Sequence, residues 1–327
     1  LLYLNEEHIR LIGYNWHELA DCIEQAAAII DAGDYVQPLK PYLRYNKPHN
    51  RIIAMPAYTG GTVSAAGLKW IASFPDNIKA GLPRAHSVLI LNEAGTGVPY
   101  AILNAPSPSI ARTAAVSGAL ARRYMELNPA KRLTIGIIGW GPVGRFHYDM
   151  CCQLFGELID QVNVFDIRLP KEADNMPSNE APYPGSSVRT RFADSWQELY
   201  HSSNLIITCT VADQRYIDSP PRPGSLLLNV SLRDYWPAAI KHIDTIVVDD
   251  WTEVCRENTD IELLHLEHGL MKEHTVSLSD AICREALKGQ KPDQSVLFCP
   301  MGMAVFDIAI ADYFVRRARE SGIGVQL

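Results

Sequence analysis

From Trp16 to Ala32 the apolar residues Leu19, Ile23, Ala26, Ala27 and Ile30 recur at the spacing of one helix face, and Gly33 follows where helices commonly stop. The pattern predicts an amphipathic helix. Four short runs then read as strands: Arg51–Met55, Ala66–Ile71, Ser87–Leu91 and Pro99–Leu103. Gly, Pro and Asn clusters divide them, which predicts a largely antiparallel sheet. Ser107 to Met125 returns to helical spacing. Its small-residue face, Ala111, Ala114, Ala115, Gly118 and Ala119, lets a neighbour pack close.

From Leu133 the pattern changes to strand, glycine-rich turn, helix and a second strand ending at Asp166. Further apolar strands are predicted at Leu205–Thr208, Leu226–Val230 and Thr245–Val248. Such alternation implies a parallel sheet. Where a crossover helix should follow Asp166, the segment from Ile167 to Ser187 carries Pro170, Pro177, Pro182, Pro184 and Gly185, which predicts a long loop or at most one short helical turn. Met301 to Glu320 is again helical in pattern, with Ala304, Ile308, Ala311 and Val315 on one face. This last helix is expected to pack back on the first domain. The fold class is therefore α/β: a Rossmann-type doubly wound parallel sheet over residues 116–302, plus a discontinuous α+β domain over residues 1–115 and 303–327.

Composition narrows the function. A chain of 327 residues exceeds the usual size of one hydrophobic core, and 47% apolar with 20% charged residues is the balance of a folded globular protein. Net charge of -7 and a pI of 5.8 argue against nucleic-acid and anionic-membrane partners. Seven cysteines, at 22, 151, 152, 209, 255, 283 and 299, form no C-x-x-C pair and read as reduced thiols. No run approaches the roughly twenty apolar residues of a membrane span, so the chain is expected to stay in the cytoplasm. Its first residues, without a Met, carry little weight.

The strongest chemical signal is Gly139-Trp140-Gly141-Pro142-Val143-Gly144, a G-x-G-x-x-G turn that follows a strand and opens a helix. Gly139 allows the tight turn, Gly141 lets backbone approach a pyrophosphate, and Gly144 lets helix and strand touch. Pro142 suits a first helical turn, where the dipole and free N–H groups favour an anion. Taken alone the motif is also an ordinary glycine turn. Asp166, 22 residues past Gly144 at the end of the second strand, changes that: an acid there accepts the ribose hydroxyls of NAD and repels the extra phosphate of NADP. Arg168 leaves room for NADP, but NAD is favoured.

The first domain carries Lys40, Arg44, Arg51, Lys69, Arg84 and Arg112. Any one of them reads most simply as a solvated charge. Lys69 sits in an apolar strand and must either snorkel outward or point into a pocket. Arg112 stands near the start of a small-residue helix, where its fork can reach an anion. Together they point to a small substrate rich in carboxylates. Asn229-Val230-Ser231-Leu232-Arg233-Asp234 lies beyond a strand of the parallel sheet, where ligands of such sheets bind. Asp234 is placed there to act on substrate, or equally to cap a helix or sit as a surface carboxylate. Thr210 lies similarly beyond another strand. No Ser-His-Asp spacing and no metal-ligand cluster stands out.

With these residues assembled, the sequence resembles the ornithine cyclodeaminase and μ-crystallin family along nearly its whole length. The matching motifs are Met55-Pro56-Ala57-Tyr58, Gly67-Leu68-Lys69, Phe74-Pro75-Asp76-Asn77, Arg112-Thr113-Ala114-Ala115, the glycine turn with Asp166, and Pro300-Met301-Gly302-Met303-Ala304. Further strings, Val36–Arg44, Arg51–Pro56, Thr208–Val211 and Val247–Trp251, are similar to the branch that releases 2,3-diaminopropionate from N-(2-amino-2-carboxyethyl)-L-glutamate in siderophore and antibiotic pathways. The resemblance implies that Lys69 and Arg112 bind the α-carboxylate and that Asp234 is the catalytic acid. It implies that Lys40 stands where cyclodeaminases carry a carboxylate-binding Arg, a role open also to Arg44 or Arg51. It implies that Pro142, Val143, Asp166, Thr210, Ser231 and Met301 line NAD, with Arg112, Gly139, Gly141, Gly144, Arg168 and Val230 beside them, and that Met301 and Arg84 also face substrate. Arg84 replaces a small polar residue of cyclodeaminases, and Phe306 an acid before Asp307. Ornithine cyclodeamination and non-catalytic ligand binding are the alternatives within the family, and its members are built as homodimers through the first domain.

Overall fold

The computed structural model describes residues 1–47, 49–129, 131–169 and 188–327. Two compact units emerge, Leu1–Ala115 with Gly302–Leu327, and Val116–Met301. The expected proline-rich loop lies outside the described residues beyond its first turn, in which Leu169 N–H donates to the Asp166 carbonyl at 3.0 Å. No helix among the described residues is long and apolar enough to cross a membrane.

The first unit is an eight-stranded mixed sheet with helices on one face. Its centre is the antiparallel run of Arg51–Thr59, Ala65–Ser73, Ala85–Glu93 and Pro99–Asn104, in that spatial order. Register assigns the two faces, because directly opposed residues share one. Met55, Lys69, Leu89 and Leu103 form one row, and all four are buried. Pro56, Leu68, Ile90 and Ile102 form the next row on the opposite face and are only half-buried. Pro56 brings no N–H to the ladder, and it falls between the two stretches of its strand paired by the short strands Tyr35–Val36 and Tyr42–Leu43.

The buried face is covered by the C-terminal helix Ala304–Ser321, against which the predicted helix Trp16–Asp31 packs. Asn15 caps the first of these by accepting from Glu18 N–H. Gly67 lets the last helix lie close, since a Cβ there would meet Ile308 Cδ1 at 2.7 Å and the Ile90 carbonyl at 2.4 Å. Three expectations need correction. The first residues are structural, not incidental: Leu2–Asn5 is a strand parallel to Pro99–Asn104, so the sheet is mixed. The last helix starts at Ala304, not Met301, because Gly302 has a φ of 87° and Met303 is extended. The fourth-from-last strand position also differs, as Leu226–Asn229 stops one residue before Val230.

In the second unit every named strand pair is parallel. Leu133–Ile138 lies between Ile159–Phe165 and Leu205–Thr208, so the direction of winding reverses beside it. Leu205–Thr208 and Leu226–Asn229 are buried at every position, which explains the three apolar residues that open each of them. Val296–Cys299 was not anticipated. It inserts between Leu226–Asn229 and Thr245–Val248, where its four residues are also fully apolar and buried.

Candidate functional site

In the second unit residues 139–141 join the Leu133–Ile138 strand to the Pro142–Phe155 helix, whose first turn contains Gly144. Each glycine meets a different demand. Gly139 adopts a φ of 102° with its Cβ position 2.7 Å from the Cys209 carbonyl, so only glycine fits there. At Gly144 a Cβ would stand 2.0 Å from the Gly139 carbonyl. Gly141 caps the helix and has no protein atom within 4 Å of its Cβ position. That open space, over unpaired N–H groups at a helix start, is what a pyrophosphate needs.

Asp166 is joined to the same loop. Trp140 N–H donates to its Oδ2 at 2.8 Å, and Arg168 contributes its backbone N–H at 2.9 Å and side-chain bonds to both oxygens at 3.0 and 3.1 Å. Burial pushes the Asp166 carboxyl up, but these bonds outweigh it and hold the pKa below the ordinary value. A cavity of about 700 Å³ opens here, bordered by Trp140, Gly141, Pro142, Arg145, Asp166 and Arg168. Its size suits a nucleotide. Arg145, whose guanidinium lies 5.9 Å from the centre of a Trp140 ring, had no signal in the sequence beyond its place in the first helical turn. The residues present therefore fit a dinucleotide.

Beyond the strands at Leu205–Thr208 and Leu226–Asn229 the chain gathers Thr208, Thr210, Ser231 and Asp234. Val230 and Ser231 N–H both donate to the Thr208 carbonyl, and Ser231 Oγ lies 3.1 Å from Thr208 Oγ1. The Asp234 carboxylate accepts from Thr210 Oγ1 at 2.5 Å and from Ser231 Oγ. It is 1% exposed, neither a surface carboxylate nor a helix cap. Burial raises its pKa against the two hydroxyl bonds. A carboxyl whose pKa is raised and whose oxygens already carry hydrogen bonds is suited to taking and giving a proton. Val143 and Met301 serve through backbone: the Val143 carbonyl lies 2.8 Å from His147 Nδ1, and Met301 N–H donates to Asp249 at 2.9 Å.

The first unit brings together three of its six candidate cations. Lys69, on the buried sheet face, lies 2.7 Å from Asp307 Oδ2, and Arg112 Nε lies 2.8 Å from Asp307 Oδ1. Lys40 Nζ donates to the Gly302 carbonyl at 2.7 Å, while the Gly302 Cα leaves no space for a Cβ beside the Arg112 guanidinium, 2.7 Å away. Lys40, Lys69 and Arg112 are 4%, 1% and 7% exposed. Within this group Lys69 and Arg112 thus share one carboxylate, and Lys40 lies on the neighbouring Gly302 carbonyl. Burial lowers the Lys69 pKa to about 7, with Asp307 only partly offsetting it. Burial pushes Asp307 up, but Arg112 and Lys69 hold it below the ordinary carboxylate value. Asp307 was not singled out by sequence reasoning, although an acid inside the apolar run Phe306-Asp307-Ile308 is a signal.

Arg44 and Arg51 are not in that group. Their guanidinium carbons lie 4.8 and 5.6 Å from the Tyr42 ring centre. Arg51 pairs with Ser73, which pairs on its other side with Ala85, next to Arg84. These three arginines therefore share a sheet end about 13 Å along the strand from Lys69, at roughly 3.3 Å per residue.

A parallel sheet with a glycine-rich turn at a helix start, accompanied by a unit that buries a cation cluster, defines a dinucleotide-binding α/β protein. The family model for the ornithine cyclodeaminase/mu-crystallin family matches residues 12–322, and the chain belongs to that family. It is 33% identical over 351 aligned positions to N-((2S)-2-amino-2-carboxyethyl)-L-glutamate dehydrogenase of Staphylococcus aureus, covering 100% of this chain and 98% of that relative. The Thermococcus litoralis Delta(1)-pyrroline-2-carboxylate reductase in complex with NADH and L-proline shares the fold at a TM-score of 0.86 and 24% identity, over 100% of both chains. An archaeal alanine dehydrogenase dimer with bound NAD does so at 0.79 and 21%, over 100% of this chain and 98% of that one.

Asp166→Ala should weaken NAD binding about tenfold to a hundredfold, the 1.5–3 kcal/mol of hydrogen bonds to a charged group. Calorimetric titration measures this, and an unchanged affinity would remove Asp166 from the ribose site.

Proposed function

We propose that the protein is a cytoplasmic NAD-dependent dehydrogenase that cleaves N-(2-amino-2-carboxyethyl)-L-glutamate by oxidation and hydrolysis. The products are 2-oxoglutarate, 2,3-diaminopropionate and NADH, and one water is consumed. The reaction would supply 2,3-diaminopropionate to siderophore or antibiotic assembly. One observation carries the reading: three buried cations gather in the first unit, Lys69 and Arg112 on the Asp307 carboxylate and Lys40 on the Gly302 carbonyl. A substrate with three carboxylates is matched to such a group, whereas the side-chain ammonium of ornithine requires an acid. Similarity to the staphylococcal dehydrogenase supports the same choice.

Gly139, Gly141 and Gly144, with Pro142 and Val143 in the helix start, cradle the pyrophosphate, and Asp166 with Arg168 faces the adenosine ribose. Thr210, Val230, Ser231 and Met301 border the nicotinamide half. NAD, when bound, supplies the acceptor for the hydride leaving the glutamyl Cα. Lys69 and Arg112 hold the α-carboxylate beside that carbon, and Lys40 supports them. Lys69 also orients the water that adds to the resulting substrate imine. Asp234 carries protons between that water and the departing amine. Arg44, Arg51 and Arg84, at the far sheet end, reach the distal carboxylates.

Supplying enzyme with NAD and each amino acid in turn distinguishes the possibilities by absorbance at about 340 nm, where reduced nicotinamide absorbs. The glutamyl adduct should yield NADH in proportion to substrate, and Asp234→Asn should lower turnover by roughly a hundredfold. Proline and ammonia from ornithine, with no NADH from the adduct, would reject the reading.

The charge on Lys69 sets a pH limit. Raising pH through about 7 removes the ammonium charge, so carboxylate binding weakens and kcat/KM for the adduct should fall on the alkaline side. Lys69→Arg stays charged and should abolish that limb. An identical limb in the variant would assign the titration elsewhere.

The first unit's outer sheet face, with Pro56, Leu68, Ile90 and Ile102 in one row and Trp70 41% exposed, is apolar enough to be covered by a second copy of the chain. A homodimer follows from this reading. Light scattering should give twice the 36.4 kDa chain mass, and a single-chain mass at micromolar concentration would exclude the dimer.

A further inference from the structure

A second carboxylate lies behind Asp234. Asp260 is fully buried at the start of the Asp260–His268 helix. Its Oδ2 accepts from the backbone N–H of Asp234 at 3.2 Å and of Tyr235 at 3.1 Å, and from Asn229 Nδ2 at 2.9 Å. Its Oδ1 accepts from Arg215 Nε at 2.7 Å. Arg215 extends the clamp to the Asn258 carbonyl at 2.6 Å. Asn229 in turn accepts from Thr208 Oγ1 at 3.1 Å and from Leu232 N–H at 3.0 Å. Asp260 N–H closes the circuit on the Leu232 carbonyl at 2.8 Å.

These bonds surround a strained turn. Leu232 has a φ of 66°, a left-handed conformation that a branched apolar residue disfavours and keeps only when its surroundings dictate it. The peptide that follows places the Asp234 carboxylate against Thr210 and Ser231. Without a fixed acceptor for the Asp234 and Tyr235 N–H groups, this part of the turn would have two buried donors to satisfy.

We propose that Asp260, held by Arg215, is the positioning residue for Asp234: its carboxylate anchors the backbone that aims the Asp234 side chain. Isolated stability is a poor reason for such a pair, because desolvating both charges offsets most of their attraction. Burial drives the Asp260 carboxyl up to about 6 even against its bonds from Asn229, Tyr235 and Arg215, so this site retains a costly anion. Two main-chain donors and two side-chain donors converging on one carboxylate give that anion a local task. The inference rests on the reading of Asp234 as proton carrier.

A double-mutant cycle tests it. Asp260→Asn should lower kcat about tenfold to a hundredfold, with KM for NAD and for substrate changed less than about threefold. Combined with Asp234→Asn it should cost little more than Asp234→Asn alone, because both changes disable the same proton transfer. Hydrogen exchange should quicken across residues 229–236 of Asp260→Asn and stay unchanged at Gly139–Gly144. Arg215→Lys, which keeps the charge and loses the fork, should show the same pattern at several-fold size, and it replaces Asp260→Asn in the cycle if that variant no longer binds NAD. Wild-type kcat in the variants, losses that multiply in the double variant, or unaltered exchange at 229–236 would each overturn the assignment. Should the wild type form no NADH from the glutamyl adduct, the substrate reading falls, whereas the exchange measurement still judges Asp260.

Discussion

Two positive side chains can be buried side by side only if something negative lies between them, and the Asp307 carboxylate meets that condition. It binds Lys69 with one oxygen and Arg112 with the other. Removing it would leave two uncompensated charges in a medium where each costs several kcal/mol. The demand reaches back into the backbone. Lys69 must face inward from its strand, Gly67 must be small enough for the last helix to approach, and Gly302 must turn where any side chain would strike Arg112. A strand, a helix start and the chain's final helix therefore meet at one carboxylate.

The second unit solves the complementary problem with backbone in place of side-chain charge. Its glycine loop crosses from strand to helix with so little clearance that Gly144 and Gly139 nearly touch. The result is an open region at Gly141 faced by peptide N–H groups. The Trp140 bond to Asp166 explains the separation of the acid from the glycines in sequence: adjacent parallel strands end at the same level, and the acid closes the first turn.

Local pattern carried most of the second unit. The motif residues Gly139, Gly141 and Gly144 report backbone requirements directly, and the buried strands Leu205–Thr208 and Thr245–Val248 are apolar at nearly every position. Val296–Cys299 escaped notice because a four-residue apolar run has no period, and only its partners on both sides make it a strand. Lys69 was legible as an anomaly within an apolar strand, but its counterion was not, since Asp307 lies 238 positions away in sequence and their pairing exists only in the folded unit. Asp260 reads from sequence as an ordinary helix start after Thr259. Its bonds to Asn229, Asp234 and Arg215 depend on a turn through Leu232, a branched residue with no local preference for the left-handed conformation it adopts.

The ordering of segments has a consequence for synthesis on the ribosome. Val116–Met301 is continuous and can fold as soon as it has emerged, whereas the unit around Lys69 includes Gly302–Leu327 and stays incomplete until those residues are made. Until then its sheet lacks the helix that covers its apolar side, and Lys69 has no anion beside it. The segment Leu1–Ala115 thus matures after the unit that follows it, and a nascent chain must shield that exposed surface from aggregation while the intervening residues are added.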